Sequence, residues 1–236
     1  MPEPPPTEAG DESGLPASVS VDGADLRVWP EGQGTAIVAD AQIATTRFAD
    51  HAQYHPALAA AVLAATHDPR FALAINMPGH AACGTKAYDV QRWGAPAATL
   101  IHARALQLAH RSLAGSPVFA DDAWANVYHD GDYCLPHSHF RSDVSIVYML
   151  DPGDVGDDPY AGRLCINDPR IAWCCNVEPG RATRPLMPAM PAGTMLLFAS
   201  SYLHSVSPYR GSRPRVTLSW NITRRRLPGS PRPAAA

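Results

Sequence analysis

Two histidines two residues apart, in His137-Ser138-His139, a third at His204 and an arginine at Arg215 are the positions whose types and spacing can do chemistry. Imidazole nitrogens are common donors to transition metals, and residues two apart on a strand project to the same side of a sheet. His204 lies 67 residues beyond His137 and can meet the pair if the chain folds back as a barrel. Arg215 follows His204 by 11 residues, in Arg215-Val216-Thr217. Its planar guanidinium can grip a carboxylate through two parallel hydrogen bonds, so it can hold an organic acid beside a metal.

A short strand entered through the Gly131-Asp132 turn has to carry both histidines. Around it, from Trp124 onward, short apolar runs alternate with Gly, Pro and Asp: Trp124–Tyr128, Val144–Leu150, Arg163–Ile166, Met195–Ala199 and Val216–Trp220. Each has strand length. Upstream, Leu26–Trp29 and Thr35–Ala39 have strand patterns. Pro56–His67 reads as a helix with Pro in its first turn. Ala97–Leu113 reads as an amphipathic helix, with Leu100, Ala103, Leu106 and Ala109 on one face and Gly115 as a stop. Its apolar face can pack on the barrel or, in a homodimer, on a second copy. Helices first and then a run of strands suggest an α+β, mainly β domain with a β-sandwich or barrel core.

The 236 residues suffice for one domain with a large core, and 46% hydrophobic against 17% charged content reads as globular. A net charge of −3 gives no pull towards nucleic acid or an acidic membrane surface. No apolar run is long enough to span a bilayer, and Met1-Pro2-Glu3-Pro4-Pro5-Pro6 is not a secretory signal. Five cysteines (Cys83, Cys134, Cys165, Cys174, Cys175) include no Cys-x-x-Cys, which argues for reduced thiols in a cytoplasm rather than a structural zinc site. An Ala/Pro/Arg-rich, Lys-poor composition points to a bacterial source. Residues 1–20 read as a disordered tail, 21–223 as one domain (a lead-in over 21–123 and a β core over 124–223), and 224–236 as a basic flexible tail.

From residue 124 to 222 the order of motifs is specific. It runs Asn126, then Gly131-Asp132-Tyr133, then His137-Ser138-His139, then Val147-Tyr148-Met149-Leu150. Asp168-Pro169-Arg170, Pro191-Ala192-Gly193 leading to Phe198, His204, and Arg215 with Ser219 and Asn221 complete it. This run resembles the double-stranded β-helix oxygenases of the iron(II)/2-oxoglutarate superfamily, in their prolyl-hydroxylase-like branch, and within it a group of bacterial oxygenases with a His-x-His motif. The resemblance implies a double-stranded β-helix core of jelly-roll or cupin-like form with N-terminal helices packed on one sheet, and it implies ferrous iron, 2-oxoglutarate as cosubstrate and dioxygen. It implies an oxygenase that hydroxylates an amino acid, a peptidyl side chain or a small natural product while 2-oxoglutarate becomes succinate. It assigns His137, His139 and His204 to the metal. Arg215 takes the distal carboxylate of 2-oxoglutarate, with Thr217 or Ser219 adding a hydroxyl and Tyr128 and Asn126 at polar cosubstrate contacts.

One position departs from the usual pattern. Such iron sites hold two histidines and a carboxylate, and His139 stands where the carboxylate is expected. Spacing favours His139 itself as ligand; Asp143 or Asp132 could replace it through a bulge or turn. Three-histidine iron sites also serve cupin-like dioxygenases that use no 2-oxo acid, and a barrel with this site could bind metal without catalysis. The halogenating members usually vacate the carboxylate position with a small residue, which His139 does not do. The remaining histidines read as solvent-facing or hydrogen-bonded, with His129 near the mouth of the site. Trp124 and Trp220 read as core fillers, and Cys134 and Cys165 as buried, inert side chains. The loop Ile171–Met190 can be a lid or only a long loop.

Overall fold

The computed structural model describes residues 14–38, 42–74, 84–156, 158–168, 170–171, 174 and 185–225. Met77-Pro78-Gly79-His80, Cys83, Cys175, both tail ends and most of the Ile171–Met190 loop lie outside the described residues. In chain order the strands are β1 (Ser18–Val21), β2 (Ala24–Arg27), β3 (Ala36–Val38), β4 (Ile43–Arg47), β5 (Ala72–Ala74), β6 (Thr85–Tyr88), β7 (Val118–Tyr128), β8 (Cys134–His137), β9 (Val144–Asp151), β10 (Leu164–Ile166), β11 (Thr194–Ala199), β12 (His204–Val206) and β13 (Arg215–Arg224). Helix α1 spans His55–His67 and α2 spans Pro96–Ser112, each within a residue or so of its sequence expectation.

From β7 onward the chain passes alternately between two antiparallel sheets. The large sheet runs β3-β4-β11-β9-β13-β7-β6-β5 and the small one β10-β12-β8. That alternation is a double-stranded β-helix, and its two sheets enclose the site. Strands β3 to β6, which sequence patterning caught only at β3, extend the large sheet at both edges. The expected strand Leu26–Trp29 is shifted to Ala24–Arg27, because Asp22 and Gly23 both adopt positive φ and close a two-residue hairpin between β1 and β2. The expected basic tail also begins late: Arg224 is the last residue of β13 and pairs with Asp143 at 2.9 Å.

A period of two sorts the residues of the large sheet. Ala123 and Ala125 on β7, Ile146, Tyr148 and Leu150 on β9, Met195 and Leu197 on β11, and Leu218, Trp220 and Ile222 on β13 face α1 and α2 in one apolar core. The intervening residues face the small sheet. Helix α2 lays Leu100, Ile101, Ala105, Leu108 and Ala109 into that core, so its apolar face is spent on the barrel rather than left for a second copy. Within the same layer Arg104 is fully buried, paired to Asp50 through two hydrogen bonds of 2.9 and 2.6 Å and donating to the Arg27 carbonyl. It lies over the Phe48 and Tyr54 rings. A buried guanidinium is tolerable only with such pairing.

Two histidines of this layer are held neutral. The Trp220 indole N–H donates to His102 Nδ1 at 3.1 Å, and an indole can only donate, so His102 Nδ1 carries a lone pair. Burial lowers His102 to about 4, and it lowers His55, which hydrogen-bonds Tyr148 Oη at 2.6 Å, also to about 4. In the unfolded chain both titrate near 6.5. Below that pH the unfolded state binds protons that the folded state refuses, so the stability is complete above pH 6.5 and is lost as pH falls towards 4. Urea midpoints should therefore fall between pH 7 and pH 5, and His102→Gln should flatten that dependence. A midpoint constant over this range would contradict the buried-neutral assignment.

Candidate active site

The small sheet brings the distant histidine home. β12 pairs antiparallel with β8, with His204 directly opposite His137. Opposed residues share a face, so both rings enter the space between the sheets. Their centroids are 4.3 Å apart, and His139 completes the group at 5.0 Å from His137 and 5.3 Å from His204. One donor atom from each of the three lies within 4.8 Å of the others.

The sequence expectation that a single strand carries both histidines is corrected. β8 ends at His137, and His139 lies beyond it. Its backbone N–H donates to the Ser200 carbonyl at 2.8 Å, and its ring sits edge-on to Trp124. A buried hydroxyl network supports that carbonyl: Ser145 Oγ donates to Asn221 Oδ1 at 2.9 Å and so accepts from Ser200 Oγ at 2.9 Å. The turn between β11 and β12 thus replaces strand pairing as the element that aims His139.

Hydrogen bonding fixes two of the three tautomers. His137 Nδ1 lies 2.7 Å from the Leu135 carbonyl, and His204 Nδ1 lies 2.8 Å from the Tyr202 carbonyl. A carbonyl only accepts, so each Nδ1 bears the proton and each Nε2 keeps a lone pair free for a metal. Burial lowers His204 to about 3 and His139 to about 4, and it lowers His137 as well. All three are therefore neutral near neutral pH, the form that ligates. No carboxylate joins this cluster among the described residues. Asp143 is turned to Arg224, and Asp132 accepts from the His129 backbone N–H at 2.7 Å, so neither stands in for His139. Asp168 holds Arg170 at 2.6 Å and accepts from the Leu203 N–H at 3.0 Å, which buttresses the start of β12 beside His204.

Opposite the histidines, β7 and β13 supply the polar wall of a small cleft. Their register places Arg215 against Tyr128, Thr217 against Asn126 and Ser219 against Trp124. All eight sequence-predicted positions line this cleft: His137, His139, His204, Arg215, Thr217, Ser219, Tyr128 and Asn126. Trp124, buried as expected, lines it too, and Trp220, which also borders it, is fully buried in the helix-facing core. The Trp124 indole N–H donates to Asn126 Oδ1 at 3.0 Å, which directs the amide nitrogen at Ser219 Oγ (3.2 Å) and Thr217 Oγ1 (3.4 Å). Both hydroxyls accept from Asn126, so their own protons remain available to donate into the cleft. Cys134 also lines it and is only half-buried, while Cys165 is buried as expected.

Arg215 is the electrostatic anomaly. Its residue is 2% exposed, it stacks over the Tyr128 ring at 5.4 Å, and Nη1 has no hydrogen-bond partner among the described residues. Among the described residues no Asp or Glu lines the cleft. A buried, unpaired guanidinium is costly, and burial already depresses its pKa. The group is therefore built to receive an acid from outside the protein. Sequence reasoning passed over Lys86, which pairs in register with Asn126 and enters the same cleft. The signal was available: Lys86 is the only lysine in the chain.

Residues 122–221 match a family described as "Putative 2OG-Fe(II) oxygenase". Over these 100 of its 236 residues the chain is similar to that family. Solved structures of similar fold include the non-haem alpha-ketoglutarate-dependent epimerase SnoN from nogalamycin biosynthesis, at 16% identity and a TM-score of 0.59 over 84% of this chain and 87% of that one. A Pseudomonas putida prolyl-4-hydroxylase matches at 19% identity and 0.55 over 80% and 95%. A prolyl hydroxylase from Trichoplax adhaerens, in complex with a hypoxia inducible factor peptide fragment, matches at 16% and 0.51 over 72% and 78%. No curated protein sequence matches the chain. The donor set fits the family's iron, since three neutral imidazoles converge with free lone pairs. The orphaned Arg215 Nη1 and two donor hydroxyls fit its 2-oxo acid.

Gly162 protects that arrangement. It adopts φ +61, and a Cβ there would meet Arg215 Cδ at 2.9 Å and Tyr209 Cδ2 at 2.8 Å. Gly162→Ala should cost roughly 1–3 kcal/mol of stability, read as a lower melting temperature. An unchanged melting temperature would show that the Arg215 packing is slack.

Proposed function

We propose that this oxygenase hydroxylates a C–H bond of an amino acid, a peptidyl side chain or a small natural product, converting 2-oxoglutarate to succinate and carbon dioxide. In this reading His137, His139 and His204 hold the ferrous ion. Arg215 pairs with the distal carboxylate of 2-oxoglutarate, helped by the Ser219 and Thr217 hydroxyls that Asn126 orients, and Tyr128 floors the subsite. When bound, iron with 2-oxoglutarate and dioxygen supplies the oxidising power for C–H chemistry. The chain's own work is to keep three imidazoles neutral, clamp the acid and keep the reacting centre dry. The observation that carries this is the buried Arg215, whose Nη1 has no partner and whose cleft has no Asp or Glu among the described residues.

The substrate range draws support from two proteins of similar fold, an epimerase of nogalamycin biosynthesis and a prolyl hydroxylase in complex with a peptide fragment. We read residues 21–223 as one domain, because strands of the lead-in join the same large sheet as the core. A bacterial cytoplasm, with neither nucleic acid nor membrane as partner, accords with the composition. It also accords with the unbridged thiols of Cys134 and Cys165 and with the lack, among the described residues, of a helix long and apolar enough to cross a membrane. The all-imidazole set favours one other reading, a three-histidine dioxygenase that needs no 2-oxo acid. That reading leaves Arg215 without a purpose.

Anaerobic titration separates the two. Protein with ferrous iron should develop a metal-to-ligand charge-transfer band on adding 2-oxoglutarate. Arg215→Ala should weaken 2-oxoglutarate binding roughly 30-fold or more, because it removes a buried charge-pair partner. His139→Ala should lose the band, whereas His139→Asp should retain it by restoring a donor. Iron bound to the wild type without a band would sink the 2-oxoglutarate reading in favour of its rival.

A further inference from the structure

Eighteen of the nineteen basic side chains other than histidine are arginine, so this chain uses guanidinium almost everywhere it needs a cation. Its one lysine, Lys86, stands in the active-site cleft. Gly84 makes that placement possible: at φ +73 it lets β6 approach so closely that a Cβ would lie 2.7 Å from the Val127 carbonyl oxygen. β6 then pairs with β7, setting Lys86 beside Asn126 and Tyr88 beside Trp124. Lys86 Nζ lies 5.5 Å from the Trp124 ring centroid, and the Tyr88 ring stacks with the same indole at 6.1 Å. An aromatic ledge with an ammonium over it thus flanks the three histidines, on the strand next outward from those that carry Arg215 and Asn126.

The charge of the cleft gives this position a direction. Among the described residues that line it, Lys86 and Arg215 are the cations and none is Asp or Glu. His139 replaces the carboxylate that usually offsets one charge of the metal. A ferrous ion with the two side chains carries four positive charges, and 2-oxoglutarate returns only two negative ones. The excess is concentrated where a low dielectric strengthens it.

We propose that Lys86 is a substrate-anion subsite, and that the molecule this enzyme oxidises carries a carboxylate or phosphate group that seats on the Lys86 ammonium beside the Trp124 ledge. This rests on the oxygenase reading above and adds the substrate's chemical class. An ammonium is a compact charge on a flexible stem, able to follow a tetrahedral or planar anion without the fixed bidentate geometry of arginine. Arg215, rigid and fully enclosed, suits the invariant cosubstrate; Lys86, half-buried at the ledge, suits the variable one.

The single lysine also supplies the test. Reductive methylation with [13C]formaldehyde keeps the charge and labels one side chain, Lys86, besides the N-terminal amine. The labelled protein, loaded with zinc as a diamagnetic stand-in for iron and with 2-oxoglutarate, is titrated with benzoate, phenyl phosphate and the neutral isostere benzamide. Expected is a saturable shift of the Lys86 methyl signal with one or both anions and none with benzamide. By calorimetry on unmethylated protein, Lys86→Met should bind the same anion about tenfold more weakly, while Lys86→Arg restores part of the loss. The stronger of the two anions identifies the group recognised. Equal binding of benzamide, equal anion binding by Lys86→Met, or no shift with either anion would overturn the proposal. So would loss of 2-oxoglutarate affinity in Lys86→Met, which would give the lysine to the cosubstrate. If instead wild type fails to bind 2-oxoglutarate but the anions still titrate Lys86, the oxygenase reading falls and the anion subsite stands.

Discussion

Strand β13 is buried on both faces, and the rest of the structure depends on how it divides them. Leu218, Trp220 and Ile222 point to the helices; Arg215, Thr217, Ser219 and Asn221 point to the cleft. Because side chains alternate strictly along a strand, a slip of one residue would exchange a hydrocarbon core for four polar groups. The apolar face, pressed against α2, therefore locks the polar face in register. Its partners β7 and β9 inherit the same division, so the position of Arg215 follows from the packing of Trp220.

The polar groups of the cleft obey a second constraint, that a buried donor or acceptor must be used. Trp124 orients Asn126, Asn126 occupies the lone pairs of Ser219 and Thr217, and their protons are left facing inward. Two backbone carbonyls hold the Nδ1 protons of His137 and His204 and so expose both Nε2 atoms. These bonds preorganise donors and lone pairs before any ligand arrives, which lowers the reorganisation that binding requires. Against that background the unsatisfied Arg215 Nη1 stands out as unfinished chemistry rather than as an error of packing.

An imidazole at His139, where a carboxylate is usual, has consequences beyond the histidine cluster. It leaves the described lining of the cleft without Asp or Glu, and it adds a ring that Trp124 contacts edge-on. Arg215 and Lys86 are the cations of that described lining. Such a lining favours anions arriving from solution.

The sequence by itself determined the chemistry-bearing set and the strand-rich half. Residue type and order are enough for His137, His139, His204 and Arg215, because a metal and a carboxylate each accept few donor types. The cleft face of β13 was half legible: Thr217 and Ser219 alternate with Leu218 and Trp220, but nothing local said which face would meet the metal. Strands β4 to β6 were not legible, since three to five residues in a loop-like context become strands only when the edges of a large sheet are there to receive them. Trp124 was legible as buried, but an indole suits a core and a cleft wall equally, and only the β7–β13 register decides between them. His139 lies past the end of its strand, aimed by a hydrogen bond to Ser200, a residue 61 positions away that no local pattern connects to it. Lys86 was visible as a singular residue, yet its meaning depended on β6 pairing with β7. Composition and spacing specify which groups can react; long-range strand pairing decides which of them meet, because contacts between distant residues are set by the register of whole sheets and not by neighbours along the chain.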